Sequence, residues 1–308
     1  MYTSTNISHR RQNARSPVFS RLLCVSISSS ASFFRGRAST LTGAATARHR
    51  DLLTNHFYIS RFFPRRPSTF SFLQWHDIPL RTSQSAVFNF VNEIPRGGRA
   101  KMEIDTGSAH NPIIQDKTKQ KAPRFYALDS LVNYGALPQT YEDPDHKDVL
   151  TQLNGDGDPL DVCDISSTPR PTGAVYQVKV LGALAMIDGG ETDWKILAVR
   201  TDDPLAALVS DLGDTARVPD AVRRSMDEIR HWFRTYKVPE GKGENDFAFE
   251  GRWLDLATTL KIIDAGEAQW KGVLTAPKKG GPWVPPSASP LASHDVAPAA
   301  DLRGIVTK

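Results

Sequence analysis

The segment Asn154-Gly-Asp-Gly-Asp-Pro-Leu-Asp161 places three carboxylates, Asp156, Asp158 and Asp161, within six residues. Gly155, Gly157 and Pro159 make this stretch a turn rather than a helix. Carboxylates crowded this closely repel one another and raise each other's pKa, and cations seated among them relieve that cost. Hard oxygen ligands suit Mg²⁺, Mn²⁺ or Ca²⁺ rather than zinc or copper. An EF-hand calcium loop does not account for the pattern. With Asn154, Asp156 and Asp158 at its first, third and fifth positions, Pro159 falls where glycine is needed and Ile165 where the bidentate glutamate is needed. The plain alternative is a solvated acidic turn with no ligand, and a turn standing alone would be read that way.

This turn has companions. Asp188-Gly-Gly-Glu-Thr-Asp-Trp-Lys195 sets Asp188 and Asp193 just ahead of Lys195, which can balance their charge. Two acidic turns side by side would make a multi-metal site, although exposed charges on an ordinary hairpin loop give the same letters. Asn92 to Glu103 contributes Glu93, Lys101 and Glu103, and on a strand Lys101 and Glu103 point to one face. Arg234 to Lys242 puts Tyr236 and Lys237 at the end of a helix, where a lysine also complements the helix dipole.

The elements that must hold these groups are legible in outline. Val175–Val180 and Trp194–Val199 are rich in Val, Ile and aromatics and read as strands flanking the second acidic turn. Residues 220–237 read as a helix, because Val222, Met226, Ile229, Phe233 and Tyr236 recur at helical spacing behind Pro219 and Asp220. Residues 255–274 read as a second helix with Leu256, Leu260, Ile263, Trp270 and Val273 on one face, although Gly266 weakens it. Order is expected from about Trp75.

Taken together, the motifs resemble the family I soluble inorganic pyrophosphatases of the eukaryotic (fungal-like) type, from His76-Asp-Ile-Pro-Leu80 to about Trp270. They are Glu-Ile-Pro-Arg at 93–96, Asn-Pro-Ile-Ile-Gln-Asp at 111–116 and Asn-Tyr-Gly-Ala-Leu-Pro-Gln-Thr at 133–140. The acidic turn at 156–161, Gly-Glu-Thr-Asp-Trp-Lys at 190–195 and Trp-Phe-Arg-Thr-Tyr-Lys at 232–237 complete the series. The resemblance implies an α+β fold, a closed OB-like β-barrel with flanking helices. It implies hydrolysis of inorganic pyrophosphate with several Mg²⁺ ions per site, Mn²⁺ substituting, and a homodimer. Asp156, Asp161 and Asp193 would hold one metal, with Asp161 also serving a second. Glu103, Asp188 and Asp193 would hold metals that arrive with substrate. Asp158 would take the proton from the attacking water, and Lys101, Arg124, Tyr134, Tyr236 and Lys237 would bind phosphate. Glu93 and Lys195 are supporting charges.

The chain departs from the family between Arg124 and Tyr134, which stand ten residues apart, closer than usual. A tyrosine that the family carries four residues before Tyr134 is replaced by Ser130, and Tyr126 nearby does not inherit its role. A second reading follows from this shortening: a catalytically impaired homologue that binds metal and phosphate as a partner.

Charge separates the ends from the body. The whole chain carries +4, but residues 1–50 hold eight arginines and no Asp, Glu or Lys, so residues 51–308 net −4. An OB-type nucleic-acid binder needs a basic face, and the body offers no such surplus. The Arg- and Ser-rich, acid-free composition of the first fifty residues is that of a targeting leader, here taken as 1–67, which points to the mitochondrial matrix, or to the cytoplasm if the leader is a gene-model artefact. Residues 68–275 form the expected catalytic domain. The Pro/Ala/Ser-rich residues 276–308 are expected to be a disordered tail. Cys24 and Cys163 make no disulfide framework. No apolar run is long enough to span a membrane.

Overall fold

The computed structural model describes residues 73–286, and the leader lies outside them. Eight strands and two α-helices carry the fold. The strands are β1 (Val87–Ile94), β2 (Met102–Ile104), β3 (Ile113–Gln115), β4 (Asn133–Ala136), β5 (Asp161–Asp164), β6 (Val175–Asp188), β7 (Glu191–Arg200) and β8 (Asp246–Phe247). The helices are α1 (Asp220–Thr235) and α2 (Leu256–Thr275).

The main sheet runs β1-β4-β5-β7-β6-β8, and β1 also pairs with β6. The first five of these strands therefore close into a ring. β1 spends its C-terminal half on β4, through Val91↔Ala136 to Ile94↔Tyr134, and its N-terminal half on β6, through Val87↔Lys179 to Val91↔Val175. Closing the ring removes two open edges and buries all eight residues of β1. This is the OB-like architecture expected from the motif series.

β6 is longer than the six residues its Val-rich start advertised, because the apolar run 181–187 continues it. A register shift between Val180 and Gly182 marks a bulge, which exchanges the two faces of the strand. Val178 and Val180 before it, and Ala183 and Ala185 after it, face one core. Leu181, Leu184 and Met186 face the other. α1 covers the second core with Val222, Ile229, Trp232 and Phe233, close to the predicted stripe. It stops at Thr235 rather than at Lys237, since Pro239 has no N–H to donate to the Thr235 carbonyl, and a 3₁₀ turn over Val238–Glu240 follows.

α2 covers the first core with the expected face: Ile263 and Trp270 are buried, and Leu256, Leu260 and Val273 pack partly buried against the core clusters. Thr259, Ile262 and Gly266 are buried beside them. Gly266 is part of this contact. A Cβ there would come within 2.8 Å of Leu160 Cδ1, and the Gly266 carbonyl accepts from Tyr141 N at 3.0 Å. The glycine sits where helix and barrel approach most closely, so it marks the contact rather than a weakness.

The segment 277–286 also departs from expectation, being held to the body instead of free. Lys278 pairs with Asp145 at 2.7 Å, Trp283 N donates to Thr106 O at 2.8 Å, and the Trp283 ring lies 5.1 Å from that of His110. One aromatic residue in a Pro-rich run supplies the apolar anchor that composition averages away. Residues 287–308 lie outside the described residues.

Candidate active site

The site forms where one end of the ring meets the end of α1. β7 contributes Asp193 and Lys195, two residues apart and so on the same face. β5 lies parallel to β7 with Asp161 opposite Lys195. Lys195 Nζ is thereby within 2.5 Å of both Asp161 Oδ2 and Asp193 Oδ1, and it donates to Tyr134 Oη at 3.0 Å. Tyr134 in turn donates to Asp161 Oδ2. Lys195 is only 2% exposed. Burial opposes its charge, but Asp161 and Asp193 raise its pKa well above the usual lysine value. The ammonium is locked between the two acids.

The acidic turn reaches this face through Gly155. A Cβ on it would collide with the Glu142 carbonyl carbon at 2.3 Å, so only glycine lets the turn lie against residues 142–143. Glu142 N donates to Asp158 O at 2.9 Å, and Asp158 N donates to Asp156 Oδ1 at 3.0 Å. Glu142, Asp156 and Asp193 each bring a carboxylate oxygen within 4.8 Å of the others. Glu142 Oε1 accepts from Trp194 N at 3.2 Å, whereas its Oε2 is buried with no partner.

Burial and mutual repulsion leave these acids reluctant to ionise. Burial, then Asp158 and Asp161, pushes Asp156 up to about 8. Burial, then Asp161 and Glu103, pushes Asp158 up to about 7. Burial first and neighbouring carboxylates second hold Glu142 and Glu93 well above the glutamate range. Asp193 is raised by burial and by Asp156, against the pull of Lys195. Carboxylates concentrated in this way could hold a cation, which would relieve their mutual repulsion.

The remaining predicted residues stand around this group in pairs of opposite sign. Lys101 bonds to Glu103 and reaches Asp116 at 3.1 Å. Arg124 bridges Asp116 at 2.9 Å and Glu240 at 3.2 Å. Lys237, directly after α1 and its cap residue Tyr236, meets Asp188. Asp188 ends β6 before the two-residue turn Gly189-Gly190, where both φ values are positive as a tight hairpin requires. Glu93 turns inward and accepts from Ile104 N at 2.7 Å. Asp188 and Glu103 are not members of the three-carboxylate group.

Two residues escaped the sequence reading. Asp116 closes the Asn-Pro-Ile-Ile-Gln-Asp motif, and that position was its only signal. Glu142 follows the Asn-Tyr-Gly-Ala-Leu-Pro-Gln-Thr motif by two residues, and nothing in a lone Tyr-Glu-Asp announces burial.

Comparison with known proteins gives one consistent result. The family profile "Inorganic pyrophosphatase" matches residues 90–271. The chain is 46% identical over 211 residues to an inorganic pyrophosphatase of Homo sapiens, covering 67% of this chain and 71% of that one. It is 45% identical over 206 residues to one from Yarrowia lipolytica, covering 65% and 70%. Among solved structures, the inorganic pyrophosphatase of Schistosoma japonicum matches with a TM-score of 0.62 and 40% identity, over 70% of this chain and 78% of that one. The type I enzyme of Toxoplasma gondii matches with a TM-score of 0.60 and 41% identity, over 65% and 88%.

Proposed function

The chain belongs to the inorganic pyrophosphatase family, and we propose that the residues gathered here hydrolyse pyrophosphate to two orthophosphates with magnesium as the activating ion. The observation that carries this reading is the group Glu142, Asp156 and Asp193, beside a rim of cationic and phenolic donors. Its all-oxygen donor set, with one buried carboxylate oxygen still unpartnered, fits a hard divalent ion.

Asp156, Asp193 and Glu142 would hold one ion, with Asp161 beside them serving a second. Asp188 and Glu103 would meet ions that come with the substrate. When bound, divalent ions offset phosphate charge and acidify the attacking water. Asp158, on the acidic turn beside Asp156, would take the proton that this water loses. The water oxygen bonds to phosphorus as the bond from phosphorus to the bridging oxygen breaks, and the leaving phosphate carries that electron pair away.

The ion pairs around the rim have a direct use in this scheme. Lys101 with Glu103, and Lys237 with Asp188, each join a phosphate-binding group to a metal-binding group. A magnesium–pyrophosphate complex brings both partners at once, the cation for the carboxylate and the phosphoryl oxygen for the lysine. Each pair therefore opens without leaving either charge bare. Arg124, Tyr134 and Tyr236 complete the phosphate contacts, and phosphoryl transfer depends on such positioning more than on covalent help.

The test is phosphate release from pyrophosphate by the purified protein with magnesium and with a chelator. Release that requires magnesium, and that falls about 100-fold or more in Asp158→Asn, is expected. Normal activity in that variant would remove Asp158 from the mechanism. Magnesium binding without any release would instead mark the chain as a binding homologue.

A further inference from the structure

Tyr141, Glu142 and Asp143 run between α2 and the acidic turn, and their backbone groups are divided between the two. On the helix side, Tyr141 N donates to Gly266 O at 3.0 Å and Asp143 N donates to Gln269 Oε1 at 2.6 Å. On the turn side, Glu142 N donates to Asp158 O at 2.9 Å, and Glu142 O accepts from Gly157 N at 2.9 Å. Asp143 O accepts from Gly155 N at 3.2 Å. The helix thus grips the strip immediately before and immediately after Glu142, and the turn grips Glu142 itself.

This clasp fixes more than backbone. The Glu142 carboxylate belongs to the group with Asp156 and Asp193, and Asp156 and Asp158 ride on the turn that the strip holds. A shift of the strip therefore moves one ion ligand directly and the turn with it. Two of the three strip amides are held by backbone carbonyls, which no side-chain substitution removes. Asp143 N is the one held by a side chain. Gln269 stands three residues after Gly266 and so on the same face of α2, and it lines one cleft with Glu142 and Trp194. A glutamine carbonyl accepts the hydrogen bond without bringing a further negative charge to acids that already repel one another.

We infer that Gln269 is a positioning residue for the ion site: by holding Asp143 N, its amide oxygen sets the Glu142 carboxylate against Asp156 and Asp193. The inference rests on the function proposed above and extends it to a residue of α2 outside every motif in the series. Groups that orient metal ligands without touching the metal commonly govern its affinity.

The experiment uses the full-length protein and three variants. Gln269→Met is close to glutamine in length and volume but removes the acceptor. Gln269→Glu keeps an acceptor for Asp143 N. Glu267→Gln disturbs the same helix by weakening its pairs with Arg81 at 2.7 Å and Lys271 at 2.6 Å, and leaves Asp143 alone. Calorimetric titration of chelator-treated protein with magnesium chloride is read beside the thermal midpoint and the magnesium dependence of phosphate release. In Gln269→Met, magnesium affinity is expected to weaken about tenfold, with the magnesium needed for half-maximal release raised similarly. Its rate at saturating magnesium should stay near wild type, because the ligands themselves are intact. Gln269→Glu should bind magnesium at least as well as wild type, and Glu267→Gln should bind it equally well whatever happens to its midpoint. Wild-type affinity in Gln269→Met would overturn the inference. An equal loss in Gln269→Glu would also overturn it, since the acceptor would then be irrelevant. An equal loss in Glu267→Gln would reduce the effect to a general loosening of α2. A wild type that neither binds magnesium nor releases phosphate would overturn the proposed function itself, and this inference with it.

Discussion

At Glu142 a single carboxylate shows how burial creates function. One of its oxygens is used by Trp194 N, the other is buried with no partner, and the carboxylate lies beside Asp156 and Asp193. Burial and the neighbouring Asp156 and Asp193 raise its pKa well above the ordinary glutamate range, so in the metal-free protein a neutral glutamine is a small perturbation. Glu142→Gln is therefore expected to leave the thermal midpoint of the metal-free protein at pH 7 unchanged. Calorimetric titration should show magnesium affinity reduced by roughly ten- to a hundredfold. Undiminished affinity would take Glu142 out of the ion site. Asp156, Asp158, Asp161, Asp193 and Lys195 were visible in the sequence because short-range spacing brings them together. Glu142 and Asp116 were not, because each enters the site from a loop whose path only the packed barrel defines.

At the scale of elements, α2 carries two glycines with opposite consequences. Gly266 touches Leu160 and Thr140, whereas a Cβ on Gly272 would meet nothing within 4 Å, at an exposed position on the same helix. Gly272→Ala is expected to stabilise the protein by about 0.5–1 kcal/mol, since glycine costs that much in a helix interior. Gly266→Val is expected to destabilise by about 2 kcal/mol, because the gain in propensity is smaller than the cost of driving a branched side chain into a filled contact. Denaturant melts of the two variants decide the matter, and equal shifts of the same sign would refute the packing argument. The helices were legible from their periodicity, and so was the hairpin of β6 and β7. The bulge in β6 and the close approach at Gly266 were not, since both are answers to neighbours distant in sequence.

At the scale of the whole molecule, the buried acids couple stability to pH. Asp156 at about 8 and Asp158 at about 7 lie far above the ordinary aspartate value of 3.8. Above the ordinary value the unfolded chain has lost these protons while the folded, metal-free protein retains them. Their contribution to stability is thus full below about pH 4 and is lost as the pH rises through the folded values. The thermal midpoint of chelator-treated protein is expected to fall between pH 5 and pH 8, and saturating magnesium should flatten that fall by displacing the protons. A midpoint that rises over this interval without metal would contradict the electrostatic reading. The sequence by itself determined the family, the acidic character of the two turns and the main helices, because those depend on composition and on spacings of a few residues. Only the tertiary structure decided that β1 closes the ring and that Glu142 joins Asp156 and Asp193. It alone fastened Trp283 to the body. Each of these contacts joins residues far apart along the chain or through a loop of unforeseeable path, and no local propensity encodes them.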